Sequence, residues 1–460
     1  MKRTLIFLFF IILCQNIFCK IWYVSEGGRG AQDGTSWADA ASDFVHLLQY
    51  PFSSPGLTQG AILPNPQDTI FVSEGTYSPI LLWYDDSTKT NSFFNEIHIY
   101  GGFEGWEYGL DDRTDWANNP SIIDAKGLTN CIWVESYKDT INQYIKHIVI
   151  DGFILINGLG QGGAIRTVNE TPLFSNLIIK DNEGYPLLYF ENARDTTDRY
   201  LGNTILNNCL VHSNRVIEPP YPMLYYNSLV TALQSDVRFT NNTIVDNITD
   251  VDNTIIFTLS FNSTVWVDNS IIFFNAFSGE DLNFPCNIIY RYSDIENCGY
   301  SSPLWTLSGT DGGGNIDDDP KFKDFFSGDY HLSDSSPCID EGNYSQRYCI
   351  SNVLGYQNFN FYHDYDIEGN VRVSGLQIDM GVYEYLYSSN APKYNNDIDI
   401  EVLNSNSYDK ILLYDLIGRV VAELTNIKEI NTLYLAKGIY CISFFKGNSF
   451  VYSDKIIINN

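Results

Sequence analysis

The stretch NLIIKDN, residues 176–182, decides the fold, because variants of it recur along the middle of the chain. The copies are DGFILIN from Asp151, NLIIKDN from Asn176, NCLVHSN from Asn208, NTIVDN from Asn242 and NSIIFFN from Asn269. Their starts are 25, 32, 34 and 27 residues apart, which is too irregular for an ankyrin or leucine-rich array. The copy from Asn242 is one residue shorter than the others, which leaves its register open.

Such repeats predict a parallel β-helix, in which each coil contributes brief strands and stacked coils bury one continuous aliphatic core. Asn suits the bends between strands, because it tolerates left-handed backbone angles and hydrogen-bonds locally. Its copies on adjacent coils can also bond to one another in a ladder. A short apolar run does not fix which of its residues face inward. A β-sandwich or a propeller is the main alternative.

The N-terminus predicts export. Lys2 and Arg3 precede an apolar run, residues 5–13, that is too short to cross a bilayer. We therefore predict a signal peptide over residues 1–19; lipidation of a cysteine and an N-terminal core segment are the alternatives. No other stretch is long and apolar enough to span, so we predict no transmembrane segment in the mature chain.

Composition narrows the function classes. The 460 residues include 27 basic and 56 acidic side chains, which give a net charge of −29, and 44% of them are hydrophobic. These totals exclude a disordered chain, a coiled coil and a membrane bundle. The acidic surface also disfavours nucleic acid as a partner, because it repels phosphate and offers few cations.

Several segments resemble secreted right-handed β-helix proteins. WYVSEGGRGAQDGTSWADA, from Trp22, is similar to their entry segment, and residues 68–79 and 100–127 are similar to their first coils. NIDDDPKFKDFFSGDYHLSDSSPCIDEGN, from Asn315, and DIEGNVRVSGLQIDMGVYEY, from Asp366, resemble the segment called choice-of-anchor Q. That resemblance implies that a surface-anchoring or sorting module follows.

The C-terminal residues resemble the sorting domain of the type IX secretion system, at LYDLIGRVV (residues 413–421) and GIYCI (residues 438–442). The opening PNP-like motif and the basic tail of that family are missing from this chain. The resemblance implies a β-sandwich, the type IX secretion machinery as a partner, and a location outside the cell or on its outer surface. A cap fused to the β-helix is the alternative.

The predicted fold class is therefore all-β: a right-handed parallel β-helix, which is a pectate-lyase-like solenoid, followed by a small C-terminal β-sandwich. The predicted segments are a signal peptide (1–19), an N-terminal cap and β-helix (20–314), a choice-of-anchor Q-like segment that closes the helix (315–387), a linker (388–397) and a sorting domain (398–460).

Motifs for catalysis are sparse. The lyase patterns WIDH and RxPxxR and the GHG of pectin hydrolases are absent, and the six histidines do not pair at ligand spacing. A polysaccharide lyase or glycosidase would need a groove that holds a basic residue beside carboxylates, for instance near Arg166 or Arg194.

Two sets of residues suggest bound metal or disulfide bonds. Asp311, Asp317, Asp318 and Asp319 could supply oxygen ligands to calcium, the one cofactor that this sequence suggests; a flexible acidic loop is the alternative. In an oxidising compartment, two cysteine pairs would close short loops. These disulfide candidates are Cys286 with Cys298 and Cys338 with Cys349.

Exposed aromatic side chains on the flat face of stacked coils could bind sugar rings, although core packing is the commoner role of large aromatics. The sugar-stacking candidates are Trp83, Trp106, Trp116 and Trp266, with Trp133 as a further possibility. We predict an exported β-helix protein that binds an extracellular polysaccharide or a cell-surface glycan, as an adhesin does, without catalysis. The alternatives are a polysaccharide lyase or glycosidase on the same scaffold, and a self-associating structural surface protein.

Overall fold

The structure is a computed structural model in which the chain divides into two compact units, Met1–Leu386 and Tyr387–Asn460. The residues that it describes are 20–44, 47, 68–83, 97–113, 116, 118–135, 148–193, 203–220, 227–277, 279–283, 285–299, 303–343, 365–375, 377–386, 410–414, 420–424, 438–446 and 449–458. The predicted signal peptide and linker lie outside these residues.

Four parallel sheets dominate the first unit. In the description of each sheet below, every strand pairs with the strand named after it. Sheet A contains Ile21–Val24, Thr69–Ser73, His98–Phe103, Val149–Asp151, Leu173–Ser175, Thr204–Asn207, Asp236–Thr240, Thr264–Asp268, Asn287–Arg291 and Thr310–Asp311. Sheet B contains Gly75–Tyr77, Ser121–Asp124, Phe153–Ile156, Ile178–Lys180, Leu210–His212, Thr243–Val245, Ile271–Phe273 and Asp294–Ile295. Sheet C contains Ile80–Trp83, Ile132–Glu135, Ile165–Val168, Leu188–Glu191, Ser228–Leu233, Ile255–Ser260 and Glu280–Leu282. Sheet D contains Leu159–Gly160, Glu183–Gly184, Arg215–Val216 and Ile248–Thr249.

The described coils pass from sheet A to sheet B, then to sheet C, and return to sheet A, and four of them add a short strand of sheet D between sheets B and C. One coil runs through Leu173–Ser175, Ile178–Lys180, Glu183–Gly184 and Leu188–Glu191, and the next begins at Thr204–Asn207. Adjacent coils pair in parallel, as in Phe174 with Leu206. The predicted parallel β-helix is therefore confirmed. Three 3-10 helices, Trp37–Asp39, Leu110–Asp112 and Phe325–Ser327, lie among the described strands.

The core lies inside the coils, because alternate residues of every strand point inward. One inward row crosses sheet A and is almost fully buried: Ile70, Ile99, Ile150, Phe174, Leu206, Phe239, Val267 and Tyr290. Burying each such aliphatic or aromatic side chain stabilises the fold by about 1.5–3 kcal/mol. The register of the strands thus places apolar side chains of successive coils on top of one another in one continuous column.

Left-handed residues make the bend between sheets A and B and set the register of the repeats. They are Gly152, Asn176, Asn208, Asn241 and Asn269, with φ between 50° and 78°. Asn241 therefore occupies the place that the sequence pattern assigned to Asn242, and the fourth copy begins one residue earlier. The first copy begins one residue later than the pattern assigned, at Gly152, because Asp151 still belongs to the strand of sheet A.

The bend after sheet B carries the predicted asparagine ladder. The Asn182 Nδ2 donates to Asn214 Oδ1 at 3.0 Å, the Asn214 Nδ2 donates to Asn247 Oδ1 at 2.9 Å, and the Asn247 Nδ2 donates to Asn275 Oδ1 at 2.8 Å. Each of these amides also donates to carbonyl oxygens of its own coil and of the coil before it, as Asn214 does to His212 and Ile179. The ladder satisfies buried backbone groups that the bend would otherwise leave without partners.

The residues after the last coil fold back over the outer face of sheet B. The antiparallel strands Phe322–Asp324 and Asp329–Leu332 lead into a segment, residues 365–375 and 377–386, that we name the strap. The Gly381 N–H donates to the Asn269 carbonyl oxygen at 2.8 Å, and the Val382 N–H donates to Thr243 Oγ1 at 3.0 Å. The strap therefore covers apolar side chains that sheet B turns outward.

The second unit contains one antiparallel sheet among its described residues. Its strands pair in the order Val420–Leu424, Lys410–Tyr414, Gly438–Lys446 and Ser449–Ile458. This agrees with the predicted C-terminal β-domain. No helix in the described part of the chain is both long enough and apolar enough to cross a membrane.

Candidate functional site

A loop that follows a strand of sheet A presents Trp106 to solvent. The buried carboxylate of Glu107 accepts hydrogen bonds from three consecutive backbone N–H groups, those of residues 104–106, at 2.7–2.9 Å. The backbone carbonyl oxygen of Glu107 accepts a hydrogen bond from the indole N–H of Trp37 at 2.7 Å. Trp106 itself is 53% exposed, and its indole N–H donates to the Glu104 carboxylate at 2.8 Å. The loop thus holds an accessible indole in one orientation.

Aromatic side chains support this loop from the outer face of sheet A. The ring of Trp37 lies 4.8 Å from that of Tyr23 and 6.0 Å from that of Phe103, and Phe103 stacks on Phe71 at 4.3 Å. Tyr108, two residues after Trp106, is 79% exposed. The arrangement combines a packed apolar base with two solvent-exposed rings, which is the property required for stacking on a sugar.

A second aromatic group lies on the outer face of sheet C. Trp133, Arg166 and Tyr189 occupy the same position on three neighbouring strands. The Arg166 guanidinium lies 4.9 Å from the Trp133 ring and 5.6 Å from the Tyr189 ring, so two aromatic faces flank the cation. In the next outward row, Glu135 accepts a bond from the Trp133 indole at 2.8 Å, and Glu191 accepts one from the Tyr189 hydroxyl at 2.7 Å.

A third group lies near the C-terminal end of sheet A. Arg291 donates from Nε and Nη2 to the two oxygens of Asp268, at 2.6 and 2.8 Å, and Arg238 Nη1 lies 3.9 Å from the same carboxylate. Burial raises the pKa of Asp268, and the two guanidinium groups oppose that shift. The Arg238 guanidinium covers one face of Trp266 at 4.4 Å. These contacts pair the charges with one another.

The structure separates the sugar-stacking candidates. Trp106 is exposed, whereas Trp116 is 7% exposed and packs with Leu210 and other apolar residues beneath the strap. Trp266 is half-buried against Arg238. The Trp83 side chain lies outside the described residues, as does Arg194. Trp106 is thus the candidate whose surroundings leave its ring accessible.

The acidic candidates do not converge on one point. The Asp311 carboxylate accepts bonds from Gly313 and Asn315, and both oxygens of Asp317 accept backbone N–H bonds, from residues 297 and 299. The Asp319 carboxylate accepts the N–H of residue 321, and the Asp318 N–H donates to Asp294 at 3.3 Å. Among the described residues, no three carboxylate, imidazole or thiol side chains are grouped so as to hold a metal ion. The carboxylates of Asp311, Asp317 and Asp319 thus order turns, and the calcium site stays a prediction.

The structure does not join Cys286 to Cys298. Both are free thiols: Cys286 Sγ accepts the Ser263 N–H at 3.3 Å, and Cys298 Sγ donates to the Ile316 carbonyl oxygen at 3.4 Å. The two sulfur atoms therefore contact different partners, and their spacing in sequence could not reveal this. Cys338 is also a free, buried thiol, which donates to the Asp294 carboxylate at 3.1 Å, and Cys349 lies outside the described residues.

His212, Ser213 and Asp246 superficially resemble a hydrolase triad. The serine lies between the other two, because Ser213 Oγ contacts His212 Nδ1 at 3.0 Å and donates to Asp246 at 3.1 Å. A triad requires the histidine in the middle, so that it can accept the serine proton. Burial also lowers the pKa of His212 to about 4. The group is structural.

His331 joins the antiparallel strands to the strap. Its Nδ1 lies 2.6 Å from Asp329, its Nε2 lies 3.0 Å from Glu368, and its ring stacks on Tyr383 at 4.0 Å. The hydrogen bond to Glu368 is the main cause that raises the pKa of His331. The same bond lowers the pKa of Glu368.

Sequence reasoning did not single out Arg372, which is 1% exposed and anchors the strap. Its guanidinium donates to the carbonyl oxygens of Gly381 and Val382 and to the side-chain oxygen of Asn208. Its Nη1 also lies 3.9 Å from Glu384, whose pKa burial raises to about 9. The sequence held one signal for this role, because Arg372 lies between two valines. In an extended segment alternate residues face opposite sides, so either the arginine or the two valines must be the buried side.

Comparison with known families addresses the C-terminal unit. Residues 393–459 match the family described as Secretion system C-terminal sorting domain. The chain carries a type IX sorting domain. That sorting domain marks the protein as secreted, or attached to the outer cell surface, through type IX secretion, and makes the secretion machinery a partner. Neither the curated proteins nor the solved structures include a significant match to this chain. The resemblance to choice-of-anchor Q stays a prediction.

Proposed function

We propose that this exported β-helix protein binds carbohydrate at the Trp106 loop, without catalysis, and acts as an adhesin on an extracellular polysaccharide or cell-surface glycan. One observation carries the proposal: a loop ordered by a buried carboxylate keeps a tryptophan 53% exposed. An exposed indole on a disordered loop would lose conformational entropy on binding, and a pre-ordered one avoids most of that loss.

The surroundings of Trp106 favour a sugar ligand. Tyr108 is exposed nearby, and the Glu104 carboxylate next to the indole can accept hydroxyl hydrogen bonds. A sugar presents apolar C–H groups on its ring faces and hydroxyls at its edge, so a ring with an adjacent acceptor matches both. The composition of the site supports a neutral sugar, because Glu104 would repel an anion.

A glycoside hydrolase is the alternative that a specific observation favours. Glu135 and Glu191 lie in one outward row of sheet C, with Val168 between them. Two strand spacings place their backbones about 9–10 Å apart. Side chains that lean slightly toward each other would bring the two carboxyl groups within the separation of about 6.5–9.5 Å that inverting glycosidases use to admit water.

Polysaccharide binding by the full-length chain tests the proposal. Neutral and acidic polysaccharides are presented with and without calcium, and both binding and new reducing ends are measured. Trp106→Ala is expected to weaken binding of a neutral glycan about tenfold, since loss of an aromatic stacking contact of about 1.4 kcal/mol corresponds to that factor. Phe326→Ala removes a ring that is 96% exposed elsewhere and should leave the affinity unchanged.

Two outcomes would overturn the proposal. Equal affinity of the wild type and Trp106→Ala for every neutral glycan would remove the loop from binding. New reducing ends that disappear in both Glu135→Gln and Glu191→Gln would make the protein a glycoside hydrolase.

A further inference from the structure

Arg166 differs from the other arginines on the described coil faces, because the residues that the structure describes there give it no carboxylate partner. Arg113 pairs with Asp151, Arg215 with Glu183 and Asp250, and Arg238 and Arg291 with Asp268. The Arg166 guanidinium instead contacts two aromatic rings, and its Nη1 donates to the side-chain oxygen of Gln161 at 2.5 Å. In a chain of net charge −29, an arginine left without a carboxylate is unexpected.

The hydrogen bonds of Arg166 to described residues use only part of its guanidinium. Gln161 takes Nη1, and the rings of Trp133 and Tyr189 flank the guanidinium. The Nε–H is buried and has no hydrogen-bond partner in the described part of the chain. A buried donor without an acceptor is unfavourable, and an oxygen anion that accepted from Nε and Nη2 together would relieve it.

Building on the carbohydrate-binding function proposed above, we propose that Arg166 with Trp133 and Tyr189 forms a second subsite, which binds the carboxylate or sulfate group of an acidic sugar. The planar guanidinium fits both anions, because each offers two oxygens at the spacing of the Nε and Nη2 hydrogens. Trp133 is half-buried, so part of its ring can contact the sugar that carries the anion.

The overall negative charge does not prevent this binding. Charges exposed to solvent are screened over about 8 Å at physiological ionic strength, so distant carboxylates contribute little at the site. The nearest described carboxylates of this face, Glu135 and Glu191, lie in the adjacent row and accept hydrogen bonds from Trp133 and Tyr189. One oxygen of each carboxylate is thereby engaged in a hydrogen bond.

Affinity measurements on the full-length chain at physiological salt test the subsite. The probes are oligogalacturonate for the carboxylate, dextran sulfate for the sulfate, and dextran as the neutral glucan backbone. Arg166→Gln is expected to weaken binding of at least one anionic probe by tenfold or more. Arg166→Lys, which keeps the charge and loses the two-pronged edge, should retain only part of the affinity. Arg215→Gln, at an exposed and ion-paired arginine of sheet D, serves as the matched control and should bind like the wild type.

The outcomes separate this subsite from the Trp106 loop. A loss confined to oligogalacturonate or to dextran sulfate supports the subsite and identifies the anion. Unchanged binding of both probes by Arg166→Gln, or no binding of either probe by the wild type, overturns it. If Arg166→Gln does not fold, thermal unfolding shows this, and the folded Arg166→Lys decides by the same criterion. Failure of Trp106→Ala to affect neutral glycans would refute the first proposal and leave this one standing.

Discussion

Replacing Asn214 by alanine should destabilise the β-helix more than any single exposed substitution, because this amide is a central rung of the asparagine ladder. Its Nδ2 donates to the carbonyl oxygens of Ile179 and His212 at 2.8 Å and to Asn247 Oδ1 at 2.9 Å. Its Oδ1 accepts the backbone N–H of Asn182 at 3.1 Å and the amide of that residue at 3.0 Å. Alanine removes all five bonds.

The magnitude follows from the groups left without partners. The backbone N–H of Asn182 loses the acceptor that the ladder provides, and the carbonyl oxygens of Ile179 and His212 lose a donor. Asn214 is 1% exposed, so water cannot replace these bonds without opening the bend. At about 1–3 kcal/mol for each buried group, partly relieved by relaxation, the free energy of unfolding should fall by about 3–5 kcal/mol.

Urea unfolding followed by circular dichroism measures the effect, with Asn275→Ala as the matched control. Asn275 forms equivalent bonds but lies at the half-buried end of the ladder, where water can take over, so its loss should be no more than about half as large. A loss below about 0.5 kcal/mol for Asn214→Ala would place it among ordinary surface substitutions and refute the reasoning. Equal losses for the two variants would refute it as well.

Two further predictions concern the strap. His331→Gln should lower the thermal unfolding midpoint most between about pH 4.5 and 6.5, because the raised pKa of His331 stabilises the fold below 6.5 and the lowered pKa of Glu368 does so above 4.5. That contribution fades as pH rises through the folded pKa of His331 and as it falls through that of Glu368, and a difference from wild type that is constant from pH 5 to 9 would count against it. Arg372→Met should destabilise the fold by about 3–5 kcal/mol, since it leaves the carbonyl oxygens of Gly381 and Val382 and the side-chain oxygen of Asn208 buried without their donor. Proteolysis within the strap reports the loss, with Arg215→Met as the exposed control, and equal protection of both variants would contradict it.

Much of the β-helix could be predicted, because its determinants are local. Short aliphatic runs bounded by Asn indicate bends, and the ladder follows once the coils stack. The open register at Asn242 was also a local matter: two consecutive asparagines, Asn241 and Asn242, both fit the pattern, and only the left-handed φ of the first decides between them. The free thiols of Cys286 and Cys298 show the limit of spacing, since two nearby cysteines can face different coils.

The candidate sites were less predictable, because they depend on register between coils of unequal length. Trp133, Arg166 and Tyr189 are 33 and 23 residues apart in sequence, yet they occupy one position on adjacent strands. No fixed period brings them together. Arg372 reaches Asn208 across 164 residues. Hydrophobicity would predict that Val371 and Val373 are buried and that Arg372 is exposed. In the structure the valines are 46% and 39% exposed, and the arginine is buried.

The strap changes how the coil stack can come apart. In a plain solenoid each coil contacts only its neighbours, so the terminal coil can fray and the next can follow. In this protein the strap bonds to Asn208, Thr243 and Asn269, which belong to three successive coils. The strap therefore joins coils that are not neighbours, in addition to the pairing between adjacent coils. We expect a force that pulls on one of these three coils to be resisted by the bonds of the strap to the other two as well as by the adjacent coil.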